Sequence, residues 1–210
     1  GININITLLF SLDAYRKVAE AYLRALERRL EEGKPISDIH SVASFFVSRV
    51  DTEIDARLEV IGTDEALALR GKAGLANARL AYVLFQDVLE QGVRVPALKA
   101  HGARPQRALW ASTGVKNPDY PDTLYVSELV APETVNTMPE GTLLALADHG
   151  GIESAISDDG GDCEAVLAQF ASAGIDVDAF AAQLQHEGAA SFVQPWNELM
   201  AVLAAKADTP

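Results

Sequence analysis

Positive charge is scarce in this sequence. Its 17 lysines and arginines face 30 aspartates and glutamates over 210 residues, a formal net charge of -13. A surface of that sign repels a nucleic-acid backbone, whose binding needs clustered cations, so no nucleic acid is expected as partner. A small phosphorylated ligand held by one or two local cations stays open. Cysteine occurs once, at Cys163, which leaves no disulfide framework and no cysteine-based zinc site. The four histidines (His40, His101, His149, His186) are scattered without metal-ligand spacing, and Asp158, Asp159 and Asp162 match a calcium loop only in composition. No metal and no cofactor are therefore expected. Aromatic residues make up 7% against 49% apolar residues, so the core is expected to be aliphatic and helix-rich. No apolar run approaches the ~18 residues of a membrane span, and no basic stretch precedes the first apolar one. No membrane is expected as partner, and the expected compartment is the cytoplasm.

Residues 1–10 alternate at first (Ile2, Ile4 and Ile6 against Asn3, Asn5 and Thr7) and then turn apolar, the pattern of a strand. With no initiating methionine ahead of it, this strand reads as a start inside a larger fold. Ser11 caps a helix expected to reach about Glu32, with Leu12, Tyr15, Val18, Ala19, Tyr22, Leu23, Leu26 and Leu30 on one face and Gly33 as its stop. Helical patterns run from Thr52 to about Gln91, with breaks near Gly62 and Gly71. Arg94–Gln106, with two prolines and a glycine, reads as a loop, and Arg107–Ser112 as a third strand. Tyr120–Val130 holds a short helix or irregular segment. Glu133–Met138 is a fourth, short strand, and Pro139 opens a helix. The rest, to Lys206, is helical, broken by a solvated turn at Ser157–Asp162. No linker separates this tail (151–210) from the part before it (1–150), so one domain is expected. An α/β fold follows. A doubly wound sheet and part of a (β/α)8 barrel both fit.

The densest stretch is His40–Asp51. Val42, Ala43, Phe45, Phe46 and Val47 read as a strand covered on both faces, and Asp51 or Thr52 as the cap of the following helix. Between them sit Ser48 and Arg49, off the carboxyl end of a strand, where α/β folds hold ligands. The guanidinium suits a phosphate or carboxylate because its planar fork donates two parallel bonds. A solvated or helix-pairing arginine is the plain alternative. A second polar strand-end loop, Thr113–Pro118, carries Lys116. Trp110 and Trp196 are expected as core or interface residues, and Cys163 as a small buried one.

Four segments in order resemble transaldolase: Asn3–Ser11, Ser44–Arg49, Trp110–Asn117 and Thr134–Pro139. The resemblance runs from residue 1 to about 140, and the helical tail is similar to that of the longer bacterial enzymes. It implies a (β/α)8 TIM barrel of class I aldolase type, of which this chain would be about the second half, strands five to eight, plus a helical C-terminal tail. It also implies transfer of a dihydroxyacetone unit between sugar phosphates through a lysine Schiff base, in the pentose phosphate pathway. By position, Asn5 would bind a dihydroxyacetone hydroxyl, Thr7 the catalytic water and Ser44 a substrate hydroxyl, while Phe46 would wall the pocket. Arg49, Ser112 and Lys116 would hold the phosphate. Lys116 stands where many members carry arginine, a point charge in place of a fork.

The resemblance also implies that the Schiff-base lysine and its acidic partners lie upstream of this chain. The lysines present (Lys17, Lys34, Lys72, Lys99, Lys116, Lys206) stand in polar contexts, whereas an iminium-forming amine must be desolvated. Half a barrel leaves two open strand edges. The expected partners are sugar phosphates and either the missing N-terminal half or a second copy. The alternative is a sugar-phosphate-binding half-barrel without turnover.

Overall fold

The structure, a computed structural model, describes residues 1–152 and 155–207. Positions 153–154 and 208–210 of the expected tail lie outside the described residues. Four strands form one sheet in the order of the sequence: β1 (Ile4–Leu9), β2 (Ser41–Phe46), β3 (Arg107–Ala111) and β4 (Thr134–Asn136), all neighbours parallel. The order never reverses, so this sheet lacks the switch point that defines a doubly wound fold. The architecture is α/β, a parallel sheet with helical crossovers.

Helix α1 (Leu12–Glu31) begins where Ser11 accepts the Ala14 amide at 3.1 Å and ends before Gly33 at φ +68°. It buries Tyr15, Ala19, Leu23 and Leu26, the face expected from periodicity. Register sets the faces of the sheet. Ile6, Ala43 and Ala108 are in line, as are Phe45 and Trp110, and this face packs on α1 and on α4 (Ala73–Phe85). Phe45 meets Tyr15 edge-on at 5.9 Å and Trp110 at 6.4 Å. The Trp110 indole N–H donates to the Leu129 carbonyl at 2.9 Å, which lets a full indole stay buried. Asn5, Thr7, Ser44 and Phe46 fall on the opposite face by alternation.

Three expectations need correction. Helix α2 (Ser48–Ile61) starts at Ser48, not at Asp51 or Thr52. The first turn needs no side-chain cap because the Ser48 amide donates to the Ser112 carbonyl at 2.9 Å, across from the next strand. Arg94–Gln106 contains α5 (Val95–Ala100), with Pro96 in the first turn, where a missing N–H costs nothing. Trp196 is 61% exposed, so of its two expected places, core or interface, the core is excluded.

Gly62 and Gly71 break the chain at φ +70° and +72°, on either side of α3 (Asp64–Leu67). Helix α4 continues into a π-helical turn at Gln86–Glu90. A short α6 (Leu124–Ser127) precedes β4, and α7 (Glu140–His149), α8 (Cys163–Ser172) and α9 (Val177–Ala207) follow it. Cys163 is buried, as expected. In the turn at 157–162, Asp159 accepts from the Ser157 hydroxyl and the Gly161 amide. A second apolar cluster joins Phe10, Val50, Ile54 and Leu58 to Phe170, Phe180, Ala181 and Leu184. Gly188 lets α9 cross Leu8 of β1, since a Cβ there would stand 3.1 Å from the leucine methyl. Beyond Gly188 every described residue of α9 is exposed.

Candidate active site

One face of the sheet carries Asn5, in the first half of β1, with Thr7, Ser44 and Phe46, and Ser48, Arg49 and Ser112 stand off the carboxyl ends of β2 and β3. On β1 and β2, the Ser44 hydroxyl donates to the Asn5 carboxamide oxygen at 2.7 Å. Ser44 is 3% exposed, while Asn5 and Thr7 are open to solvent. The bond occupies the Asn5 carboxamide oxygen and leaves its NH2 group without a partner among the described residues, a donor suited to a hydroxyl or carbonyl oxygen. Thr7 has no protein partner among the described residues, so its hydroxyl is available to water or ligand.

Phe46 closes the end of β2, tilted against Phe10 at 5.1 Å. The Arg49 guanidinium lies 5.5 Å from the centre of the Phe46 ring, and Arg49 makes no ion pair among the described residues. A cation supported on an aromatic face and left without a carboxylate is poised for an anion.

Ser48 and Ser112 meet through their hydroxyls at 2.8 Å. Two backbone bonds reinforce the junction, Val47 N–H to Ala111 O at 3.0 Å and Ser48 N–H to Ser112 O at 2.9 Å. Ser112 takes φ +56°, a left-handed conformation that a non-glycine residue holds only when its neighbours demand it. The strain turns its hydroxyl toward the first turn of α2, beside Arg49. A helix N-terminus, two hydroxyls and a guanidinium at one corner make an anion-binding arrangement.

Lys116 is placed differently. It is exposed and lines a small cleft of about 190 Å³ with Asp51, Asp55, Glu59, Asn117, Tyr120 and Tyr125. It makes no ion pair among the described residues. His40 lies at the other end of β2, away from this corner.

Sequence reading missed the pair Asp51 and Asp55, taking Asp51 for a helix cap and Asp55 for one of the acids that load the first turns of that helix. Both are buried, at 1% and 7% exposure. Asp51 accepts from the Gly74 amide at 2.7 Å and the Tyr125 hydroxyl at 2.7 Å; Asp55 accepts from the Gly71 amide at 2.9 Å and the Tyr120 hydroxyl at 2.6 Å. Burial pushes the Asp51 carboxyl up to about 6, against the pull of those donors and with help from the Asp55 charge. Burial and the paired carboxylates likewise push both tyrosines above their ordinary value. A signal was available: Asp51, Asp55 and Leu58 follow i, i+4, i+7, so the acids share a stripe with a core leucine.

The family model for Transaldolase/Fructose-6-phosphate aldolase matches residues 1–203. A transaldolase of Mycolicibacterium paratuberculosis is 59% identical over 201 residues, covering 95% of this chain and 54% of that protein. A transaldolase of Mycobacterium tuberculosis is 55% identical over 210 residues, all of this chain and 56% of the relative. One from Mycobacterium marinum is 56% identical over 209 residues. The chain spans about half the length of these curated relatives.

Proposed function

The chain belongs to the transaldolase/fructose-6-phosphate aldolase family, and from that premise we propose that it is the sugar-phosphate-binding half of a transaldolase. The reaction moves a dihydroxyacetone unit from sedoheptulose 7-phosphate to glyceraldehyde 3-phosphate, giving erythrose 4-phosphate and fructose 6-phosphate, a step of the pentose phosphate pathway. The chemistry passes through an iminium between a lysine and the ketose carbonyl, which takes up the electron pair released when the carbon–carbon bond breaks. One observation carries the reading. The Ser48–Ser112 junction sets Arg49 and Ser112 at a single corner, at the carboxyl end of the sheet face that presents Asn5, Thr7 and Ser44.

Within this reading Asn5 holds a hydroxyl of the dihydroxyacetone unit, Thr7 a catalytic water and Ser44 a substrate hydroxyl. Phe46 walls the pocket, and Arg49, Ser112 and Lys116 take the phosphate. The unreversed parallel order supports half of a (β/α)8 barrel, its polar face turned to the lumen. The nucleophile is assigned outside this chain. Lys17, Lys34 and Lys99 each pair with a carboxylate, and Lys72, Lys116 and Lys206 are exposed, so none is buried as an iminium-forming amine needs to be.

Borohydride trapping of the full-length protein with fructose 6-phosphate, followed by peptide mapping, tests this. The expected adduct is on a lysine outside these 210 residues; one on any of the six lysines here overturns the assignment. Arg49→Ala should raise KM for phosphorylated substrates at least tenfold more than for unphosphorylated ones, about 1.4 kcal/mol of selective binding. Equal losses remove Arg49 from the phosphate.

A further inference from the structure

We propose that Asp51 and Asp55 are positioning residues, which clamp the segment carrying Ser112 and Lys116 onto α2 and so set the phosphate end of the site. The inference rests on the phosphate reading of Arg49, Ser112 and Lys116 given above.

The two carboxylates stand one helical turn apart and are wired alike. Each gives one oxygen to a glycine amide (Gly71 in the α3–α4 connection, Gly74 in the first turn of α4) and the other to a tyrosine hydroxyl from the segment after β3 (Tyr120 or Tyr125). One helix thereby ties down two remote segments at once. The glycines have to be glycines. Gly71 is left-handed at φ +72°, and a Cβ on it would stand 2.9 Å from the Tyr120 ring. A Cβ on Gly74 would meet the Val47 carbonyl at 2.7 Å and the Asp51 carboxylate at 3.0 Å. The close approach that the clamp requires is built into the backbone.

The clamped segment is held at both ends. At its start Ser112 bonds Ser48, and the Thr113 hydroxyl reaches the Thr137 carbonyl at 2.9 Å. At its end stand the two tyrosines. Lys116 lies between these anchors, so its backbone has little freedom although its side chain is exposed. Buried carboxylates are a poor choice for stability alone, since an apolar pair of similar size does as well or better. What a carboxylate adds is direction: two acceptors in one plane fix both the distance and the angle of the segments that donate to it. Arg49 is on the first turn of that same helix, so the clamp sets one phosphate ligand relative to the others.

The test uses the full-length protein and compares glyceraldehyde 3-phosphate with unphosphorylated glyceraldehyde as acceptor, together with inhibition by inorganic phosphate. Tyr120→Phe deletes a single oxygen and keeps the ring. It should raise KM for the phosphorylated acceptor and the inhibition constant of phosphate by about tenfold, as expected for one hydrogen bond to a charged group. Both kcat and the constants for glyceraldehyde should change less than twofold. Asp55→Ala should show the same split, and Asp55→Asn should recover most of it, because a carboxamide can accept from Gly71 and donate to the Tyr120 oxygen. Equal losses on both acceptors, or no change in phosphate inhibition, overturn the clamp. Arg49→Ala run alongside separates the two levels. If it discriminates between the acceptors and Tyr120→Phe does not, the clamp alone falls; if Arg49→Ala fails to discriminate, the phosphate reading falls and the clamp with it.

Discussion

Asp51 offers a direct measure of what the buried carboxylates cost. Its side chain is 1% exposed, and burial raises its pKa from 3.8 to about 6 despite donors on both oxygens. Between those values the folded chain holds a proton that the unfolded chain has released. Stability therefore falls as pH rises through this window and, for this group, is level above it. A displacement of about two pH units, at 1.36 kcal/mol each, amounts to about 3 kcal/mol lost between pH 4 and pH 7. The variant Asp51→Asn does not titrate, yet it can accept from Gly74 and donate to the Tyr125 oxygen. Near pH 4 it should match the wild type, whose acid is then neutral and similarly bonded. By pH 7 it should be the more stable by about 3 kcal/mol, with the gap opening from about pH 4 and nearly complete by about pH 6. Urea unfolding at half-unit pH steps gives the two curves, and equal m values confirm that the same surface is exposed. Parallel curves from pH 4 to 7 would refute the reasoning, since they would show that Asp51 carries its charge in the fold at no cost.

Gly71→Ala should lower stability by roughly 1–2 kcal/mol from the left-handed backbone alone, with a further steric part that shrinks in a Tyr120→Ala background; an unchanged urea midpoint contradicts both. Ser44→Ala frees the Asn5 carboxamide and should reduce kcat/KM to a similar degree with phosphorylated and unphosphorylated acceptors, the opposite of the Arg49 pattern. Loss confined to phosphorylated acceptors would move Ser44 to the phosphate end.

Much of the scaffold was written locally. Ser11, Gly33, Gly62 and Gly71 mark helix ends by side-chain capping and left-handed backbone, both properties of short stretches. The α1 face and the four strands follow from periodicity in the same way. What could not be read depends on partners far along the chain. The start of α2 is decided by a Ser112 carbonyl on another strand, and the order of strands by pairings that no single segment encodes. Asp51 and Tyr125 are 74 residues apart. In sequence they look like an acidic helix start and an unremarkable tyrosine. Asn5, Ser44, Phe46 and Ser112 came from the family resemblance, whereas Arg49 also stood out locally as a cation off a strand end; the structure sets the first three on one face of the sheet and the other two at its carboxyl end. It also sets Lys116 among carboxylates, a neighbourhood that nothing in the local sequence announced.

The unreversed strand order has a consequence for synthesis. Each strand pairs with the one made just before it, so β2 emerges onto β1, β3 onto β2, and β4 onto β3. The growing chain always finds its template already in place, and the growing edge of the sheet is always the newest strand. The second apolar cluster obeys another clock. Phe10 waits for Phe170, Phe180 and Leu184, which are made long after β4. A ribosome stalled after β4 would therefore carry a paired sheet whose Phe10 end is covered only by α2, and α8 and α9 would act as a latch closed later.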